Sequence, residues 1–230
     1  MEQNSQKDAK NTKKMSKKQL GAEVVEILKG IYPDAECALE YKGDPWRLLI
    51  MARLSAQCTD ARVNLVCERL FDILPNAEAM ANADIALIES LVHSCGLYRM
   101  KARDLKEMSR QLICDFGGTV PSDMNELLSL SGIGRKIANL IRGDLYHLPA
   151  IVADTHCIRI CGRLGFYPES LKDPTKVERE LVKVIAPIEQ SDFCHRIVLF
   201  GREICSARAP KCEDCPLDHL CKKHLKERKK

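Results

Sequence analysis

Apolar residues recur along this chain at the spacing of a helix face, with polar residues filling the positions between them. Val63, Val66, Leu70, Phe71 and Leu74 fall on one side of a helix that Asp60 could cap. Leu105, Met108, Leu112 and Ile113 repeat the pattern until Gly117-Gly118 stops it. Asp44-Pro45 has the form of an N-cap followed by proline in the first turn, opening a helix through Trp46, Leu49, Ile50 and Leu54. Asp84 precedes Ile85, Ile88, Leu91 and Val92 in the same way, and Ser122 precedes Leu127, Leu128 and Leu130. No stretch alternates as a strand pair would, so the expected fold class is all-α. Neither an internal repeat nor a Pro/Gly-rich linker marks a domain boundary.

Composition agrees with a globular reading. A chain of 230 residues with 45% hydrophobic content can bury a real core in one large or two small domains. No apolar run approaches the roughly 20 residues that span a bilayer, and the Lys-rich opening leads into no signal-peptide core. A cytoplasmic protein is expected, nucleoid-associated if bacterial. The net charge of +4 is unevenly placed: residues 1–18 carry +4, residues 222–230 carry +5, and the body between them is net −5. Both ends read as flexible basic tails, and solvated ends of this kind are common in proteins that bind nothing acidic. Any contact with nucleic acid has to be argued from local clusters.

One such cluster is Leu130-Ser131-Gly132-Ile133-Gly134-Arg135-Lys136, which lies between two apolar-periodic segments, the second running through Ile137, Leu140, Ile141 and Leu145. This is a helix, a tight glycine turn and a second helix. Gly132 and Gly134 permit close backbone approach to a ligand, and the N–H groups that open the second helix favour an anion such as a DNA phosphate. Arg135, Lys136 and Arg142 add positive charge, with no acidic residue between 127 and 143. The G-x-G tripeptide alone equally fits an ordinary helical hairpin.

Eighteen residues past Lys136 stands Ala153-Asp154-Thr155-His156, ahead of a helix through Ile158 and Leu164. Asp154 occupies an N-cap position, which is a sufficient structural role for an aspartate. Near the end, Cys205, Cys212, Cys215 and Cys221 are separated by six, two and five residues. Four thiolates so close together suit zinc or an iron-sulfur cluster, and spacing by itself does not decide between them. The other eight of the twelve cysteines are scattered among apolar neighbours, as small buried side chains are.

Together the hairpin ending in Lys136, the D-T-H of Asp154 and the C-x6-C-x2-C-x5-C loop resemble the endonuclease III family, over nearly the whole chain from about Leu20 to Cys221. The resemblance implies two helical domains. One is a six-helix domain from 39 to 149 carrying the helix-hairpin-helix; the other combines 19–38 with 150–221 and carries a C-terminal 4Fe-4S cluster loop. It implies a bifunctional DNA glycosylase and AP lyase, acting as a monomer on double-stranded DNA that contains damaged bases or abasic sites. Oxidised pyrimidines are the implied lesions. Lys136 becomes the nucleophile, which separates bifunctional from monofunctional members, and Asp154 the catalytic carboxylate. Leu54-Ser55-Ala56-Gln57-Cys58-Thr59-Asp60 resembles the family segment whose glutamine enters the duplex. Gly96-Leu97-Tyr98, followed by Lys101-Ala102, resembles the loop whose leucine is the wedge. Without the resemblance, Leu97 reads as core and Gln57 as a surface amide. Arg208 and Lys211, inside the cysteine loop, are placed to approach phosphate or to be plain surface charge.

Two positions depart from the family pattern. Ser131 stands where proline is usual and Ile137 where threonine is usual. Serine is expected to relax the turn, and isoleucine to add bulk beside Lys136. An adenine glycosylase acting on mispairs shares the hairpin, aspartate and cluster but carries a C-terminal recognition domain, whereas nine residues follow Cys221 here. A monofunctional glycosylase or a noncatalytic iron-sulfur DNA-binding protein are the remaining alternatives, and neither requires Lys136 and Asp154 together.

Overall fold

The computed structural model describes residues 15–227. Most of the N-terminal basic segment and the last three residues lie outside the described residues. In chain order the helices are α1 (Lys17–Ile31), α2 (Pro45–Leu54), α3 (Asp60–Ile73), α4 (Ala77–Asn82), α5 (Ile85–Val92), α6 (Tyr98–Phe116), α7 (Met124–Ser129), α8 (Arg135–Tyr146), α9 (Thr155–Leu164), α10 (Pro174–Leu181), α11 (Gln190–Glu203) and α12 (Lys222–Glu227). No strand forms among the described residues, as the periodicity predicts.

The caps follow the sequence to within a residue. Asp44 accepts from the Arg47 N–H and Asp84 from the Ala86 N–H, as expected. Thr59, not Asp60, caps α3, because the threonine hydroxyl accepts from the Arg62 N–H while the Asp60 carboxylate turns to Arg202. Asp123, not Ser122, caps α7, its carboxylate taking the N–H groups of both Asn125 and Glu126. Gly117 ends α6 in the left-handed conformation. Lys17 and Lys18, expected in the basic tail, belong to α1, which opens on a Ser16–Gln19 capping box. Lys222 to Glu227 likewise form a helix rather than a tail, with Lys222 lying against Gly165 at the end of α9.

The buried apolar side chains fall into two groups. One runs from Leu39 to Ile141 and is built by α2 to α8. The other joins Val24, Val25 and Leu28 of α1 to residues of α9, α10 and α11 and to Leu217. Residues 45–146 hold seven α-helices where six were expected, two of them only six residues long. The chain passes between the groups near residue 37 and again near residue 150. Their junction carries the site.

Candidate active site and flanking loops

The hairpin joining α7 to α8 is seated on a buried ion pair. Ile133, 6% exposed, anchors the turn, and its N–H bonds to the Leu130 carbonyl at 3.1 Å. Gly132 has φ of +74°, and a Cβ placed on it would lie 2.5 Å from Arg53 Nε and 2.8 Å from Asp104 Oδ2. Arg53 of α2 grips that carboxylate through Nε at 2.8 Å and Nη2 at 2.5 Å. Ser131 does not relax the turn. Its N–H donates to Gln111 Oε1 at 2.7 Å and its hydroxyl to Asp104 Oδ1 at 3.2 Å, two bonds that proline cannot make. The order that proline supplies through its ring is supplied here by hydrogen bonds to α6.

From this turn α8 begins with Gly134 as N-cap and no side-chain cap, so the first N–H groups of the helix remain available. The charge cluster read from sequence is smaller in three dimensions. Arg135 forks onto the largely buried Glu178 of α10, at 2.7 and 2.8 Å, and this pairing raises its pKa. Arg142 donates to the Ser122 carbonyl. Lys136 is exposed and lines a cavity of about 480 Å³.

Asp154 lines the same cavity from the cap of α9. Its Oδ1 accepts from the Cys157 N–H at 2.7 Å, so the capping role read from sequence is present. Its Oδ2 makes no hydrogen bond among the described residues. Ile137 also lines the cavity, at the side of Lys136, while packing partly into the first apolar group. Two helix N-termini therefore converge on one space, α8 bringing Lys136 and α9 bringing Asp154.

Gln57 and Leu97 share an unusual backbone. Both are exposed, Leu97 at 52%, so Leu97 is not a core residue. Both have positive φ, 55° and 48°, a left-handed conformation that L side chains other than asparagine and aspartate seldom adopt. Such strain is held only where surrounding structure over-determines it.

The four clustered cysteines line a second, smaller cavity of about 230 Å³ together with Arg163. Arg163 donates to Cys205 Sγ at 3.2 Å and to the Ser206 and Ala207 carbonyls, which holds the start of the loop bearing the exposed Arg208 and Lys211. Burial pushes the Cys215 thiol up to about 11 and raises that of Cys221. Among the described residues no three His, Cys, Asp or Glu side chains are gathered as ligands of a single metal ion.

Several residues at the site carried no signal of their own in the sequence. His156 lines the cavity with its Nδ1 3.2 Å from Arg159, and burial lowers its pKa, with Arg159, Arg202 and Lys136 acting in the same direction against Asp154. Asp60 of α3 meets Arg202 of α11 at 2.7 Å, bridging the two apolar groups at the cavity. His195 and Ser191 of α11 both donate to the buried Asp144 of α8, at 2.8 and 3.2 Å, fixing α8 against α11. Long sequence separation hides the contacts of Asp60 and Asp144.

Residues 50–187 match the model of the HhH-GPD superfamily base excision DNA repair proteins. The chain is 42% identical over 210 residues to endonuclease III of Synechocystis, covering 91% of this chain and 94% of that one, and 38% identical over 202 residues to endonuclease III of Bacillus subtilis, covering 87% and 90%. A solved non-covalent endonuclease III–DNA complex superposes with a TM-score of 0.86 at 39% identity, covering 94% of this chain and 100% of that one. The chain thus belongs to the HhH-GPD superfamily of base excision DNA repair proteins and, within it, to the endonuclease III family. It is a DNA glycosylase with AP lyase activity.

Proposed function

We propose that the chain excises oxidised pyrimidines from duplex DNA and nicks the abasic sites that result, with Lys136 as nucleophile and Asp154 as the carboxylate that supports it. The observation that carries this reading is the convergence of both side chains on one cavity. Breaking the bond between base and sugar builds positive charge on the sugar, and a fixed carboxylate stabilises it. Asp154 is fixed by its cap bond. The Lys136 amine then forms a bond to the sugar carbon as the base leaves with the electron pair of the broken bond. The bond between that carbon and the ring oxygen then breaks as the nitrogen's proton passes to the oxygen, giving an imine that acidifies the proton on the neighbouring carbon. Its removal expels the 3′ phosphate and cuts the strand.

The remaining assignments concern the grip on DNA. Gly132 and Gly134 present backbone to phosphate at the start of α8. Arg135 joins them with the N–H donors that Glu178 leaves unused, since a guanidinium carries five and the fork takes two. Gln57 and Leu97 enter the duplex from their strained loops. Arg208 and Lys211 meet phosphate at the cysteine loop. A solved trapped endonuclease III–DNA covalent intermediate, 39% identical with a TM-score of 0.86, supports this chemistry by its likeness to the chain.

We propose further that Cys205, Cys212, Cys215 and Cys221 hold a 4Fe-4S cluster. The four thiols border one cavity, and burial at Cys215 and Cys221 disfavours their thiolates unless a cationic centre sits among them. The C-x6-C-x2-C-x5-C spacing of these cysteines, which resembles the cluster loop of the endonuclease III family, favours the cluster over zinc. Four cysteines saturate such a cluster, so it would shape the loop and leave the reaction to Lys136 and Asp154.

Borohydride trapping tests the reading. Duplexes containing thymine glycol or an abasic site are expected to give a covalent adduct with the intact protein and none with Lys136→Ala. No adduct with the intact protein would overturn the lyase assignment.

A further inference from the structure

Lys101 is fully buried, at 0% exposure, and among the described residues it bonds to no carboxylate. Its Nζ donates to the Leu54 carbonyl at 2.8 Å and to the Cys95 carbonyl at 2.5 Å. Leu54 is the last residue of α2, three positions before Gln57. Cys95 ends a 3₁₀ turn (His93–Cys95), two positions before Leu97. The Lys101 backbone N–H bonds to the Leu97 carbonyl at 3.1 Å. One residue of α6 therefore holds both strained loops.

We propose that Lys101 is the positioning residue that sets Gln57 and Leu97 at a fixed separation, so that both enter the same duplex together. This rests on the assignment of those two residues to strand insertion. The choice of an ammonium follows from what it binds. The Leu54 carbonyl belongs to the last turn of α2, where carbonyls lack helical partners and the helix dipole favours a cation. An ammonium offers three donors around one atom and can satisfy two carbonyls approaching from different loops. An apolar side chain of equal length would fill the volume and leave both carbonyls buried without a donor. The cost of burying the charge is visible as a lowered pKa, caused first by desolvation. Freed of the ammonium, Gln57 and Leu97 would relax out of the left-handed region, and each change of φ would redirect its side chain.

The test compares one abasic site presented in duplex and in single-stranded DNA. Only the duplex has to be opened before Lys136 can reach the sugar. Lys101→Met is expected to lower the ratio of duplex to single-strand borohydride adduct by about tenfold, as loss of a modest part of the opening energy would. Because both yields come from the same preparation, the ratio cancels any loss of folded protein. Adding Leu97→Ala to Lys101→Met should lower the duplex yield little further, since the wedge is already misplaced. If Lys101→Met fails to fold, Lys101→Gln, which keeps an amide donor, carries the same comparison with a smaller drop. A ratio equal to that of the wild type, or full additivity with Leu97→Ala, overturns the proposal. A wild-type protein that traps neither substrate overturns the lyase reading instead, and a Leu97→Ala variant with an unchanged ratio overturns the insertion reading.

Discussion

Lys136 and Asp154 face the same cavity from the first turns of two different helices, α8 and α9. On the proposed reading Asp154 both caps α9 and supports the reaction, and the two roles separate by substitution. An asparagine caps a helix about as well as an aspartate, so Asp154→Asn should keep the thermal midpoint while excision falls by about 10²–10³, the range for losing one aligned electrostatic group. Asp154→Ala should lose the same activity and about 1 kcal/mol of stability besides. Denaturant titration beside single-turnover excision checks both. Equal stability of the two variants would show that the cap bond contributes nothing.

Ser131→Pro, which restores the residue usual in the family, is expected to destabilise this chain. Leu130 has extended backbone (φ −72°, ψ 139°) and so accepts a following proline without distortion. Proline would reduce the freedom of the unfolded chain, worth about 0.4–1 kcal/mol. Against this stand two lost bonds, to Gln111 and to Asp104, at about 1 kcal/mol each. The net expected change is a loss of about 1 kcal/mol in a urea titration. In a Gln111→Ala background the proline should cost less, and a stabilising proline in the wild-type background would contradict the hydrogen-bond account.

The two glycines of the hairpin should respond differently to alanine. Gly132 combines positive φ with a Cβ position inside contact distance of Arg53 and Asp104, whereas open space surrounds Gly134 at φ −100°. Gly132→Ala should therefore lose roughly 2 kcal/mol or more, from strain and displacement of the buried pair. Gly134→Ala should fold normally and lose affinity for DNA only, because its methyl group stands between the helix N-terminus and phosphate. Calorimetry and fluorescence anisotropy distinguish these outcomes. Equal midpoints for the two variants would sink the distinction.

What could be read from sequence is the part written in short segments. The α-helical class, the glycine turn, the cap at Asp154 and the gathering of four cysteines each depend on residues close together in the chain. Caps moved by one residue at Thr59 and Asp123 because adjacent side chains compete for the same N–H groups, and only the local backbone decides. Arg135 reads as a free cation in sequence because its partner Glu178 lies 43 residues away. Asp60 reads as a cap because its partner Arg202 lies 142 residues away. Lys101 gives no sign of burial, since one of the two carbonyls that receive it belongs to a helix 47 residues earlier. Backbone strain at Gln57 and Leu97 has no signature in residue type at all.

His156 gives a pH dependence whose sign is fixed by its surroundings. Burial and the nearby cations hold its pKa below the ordinary 6.5 in the folded protein. The unfolded chain binds the imidazole proton near pH 6.5, while the folded chain binds it only at lower pH. Between those two values the unfolded state holds the extra proton, so stability declines as pH falls below about 7 and levels off once the folded form is also protonated. His156→Asn, which keeps polarity without titrating in this range, should flatten that part of the stability curve measured by urea titration from pH 7 to 5. The neighbouring Asp154 opposes the shift, so Asp154→Asn should steepen the decline rather than relieve it. A wild-type curve that rises toward acid pH in this window, or is unchanged by His156→Asn, would mean that the imidazole is not held neutral at the cavity.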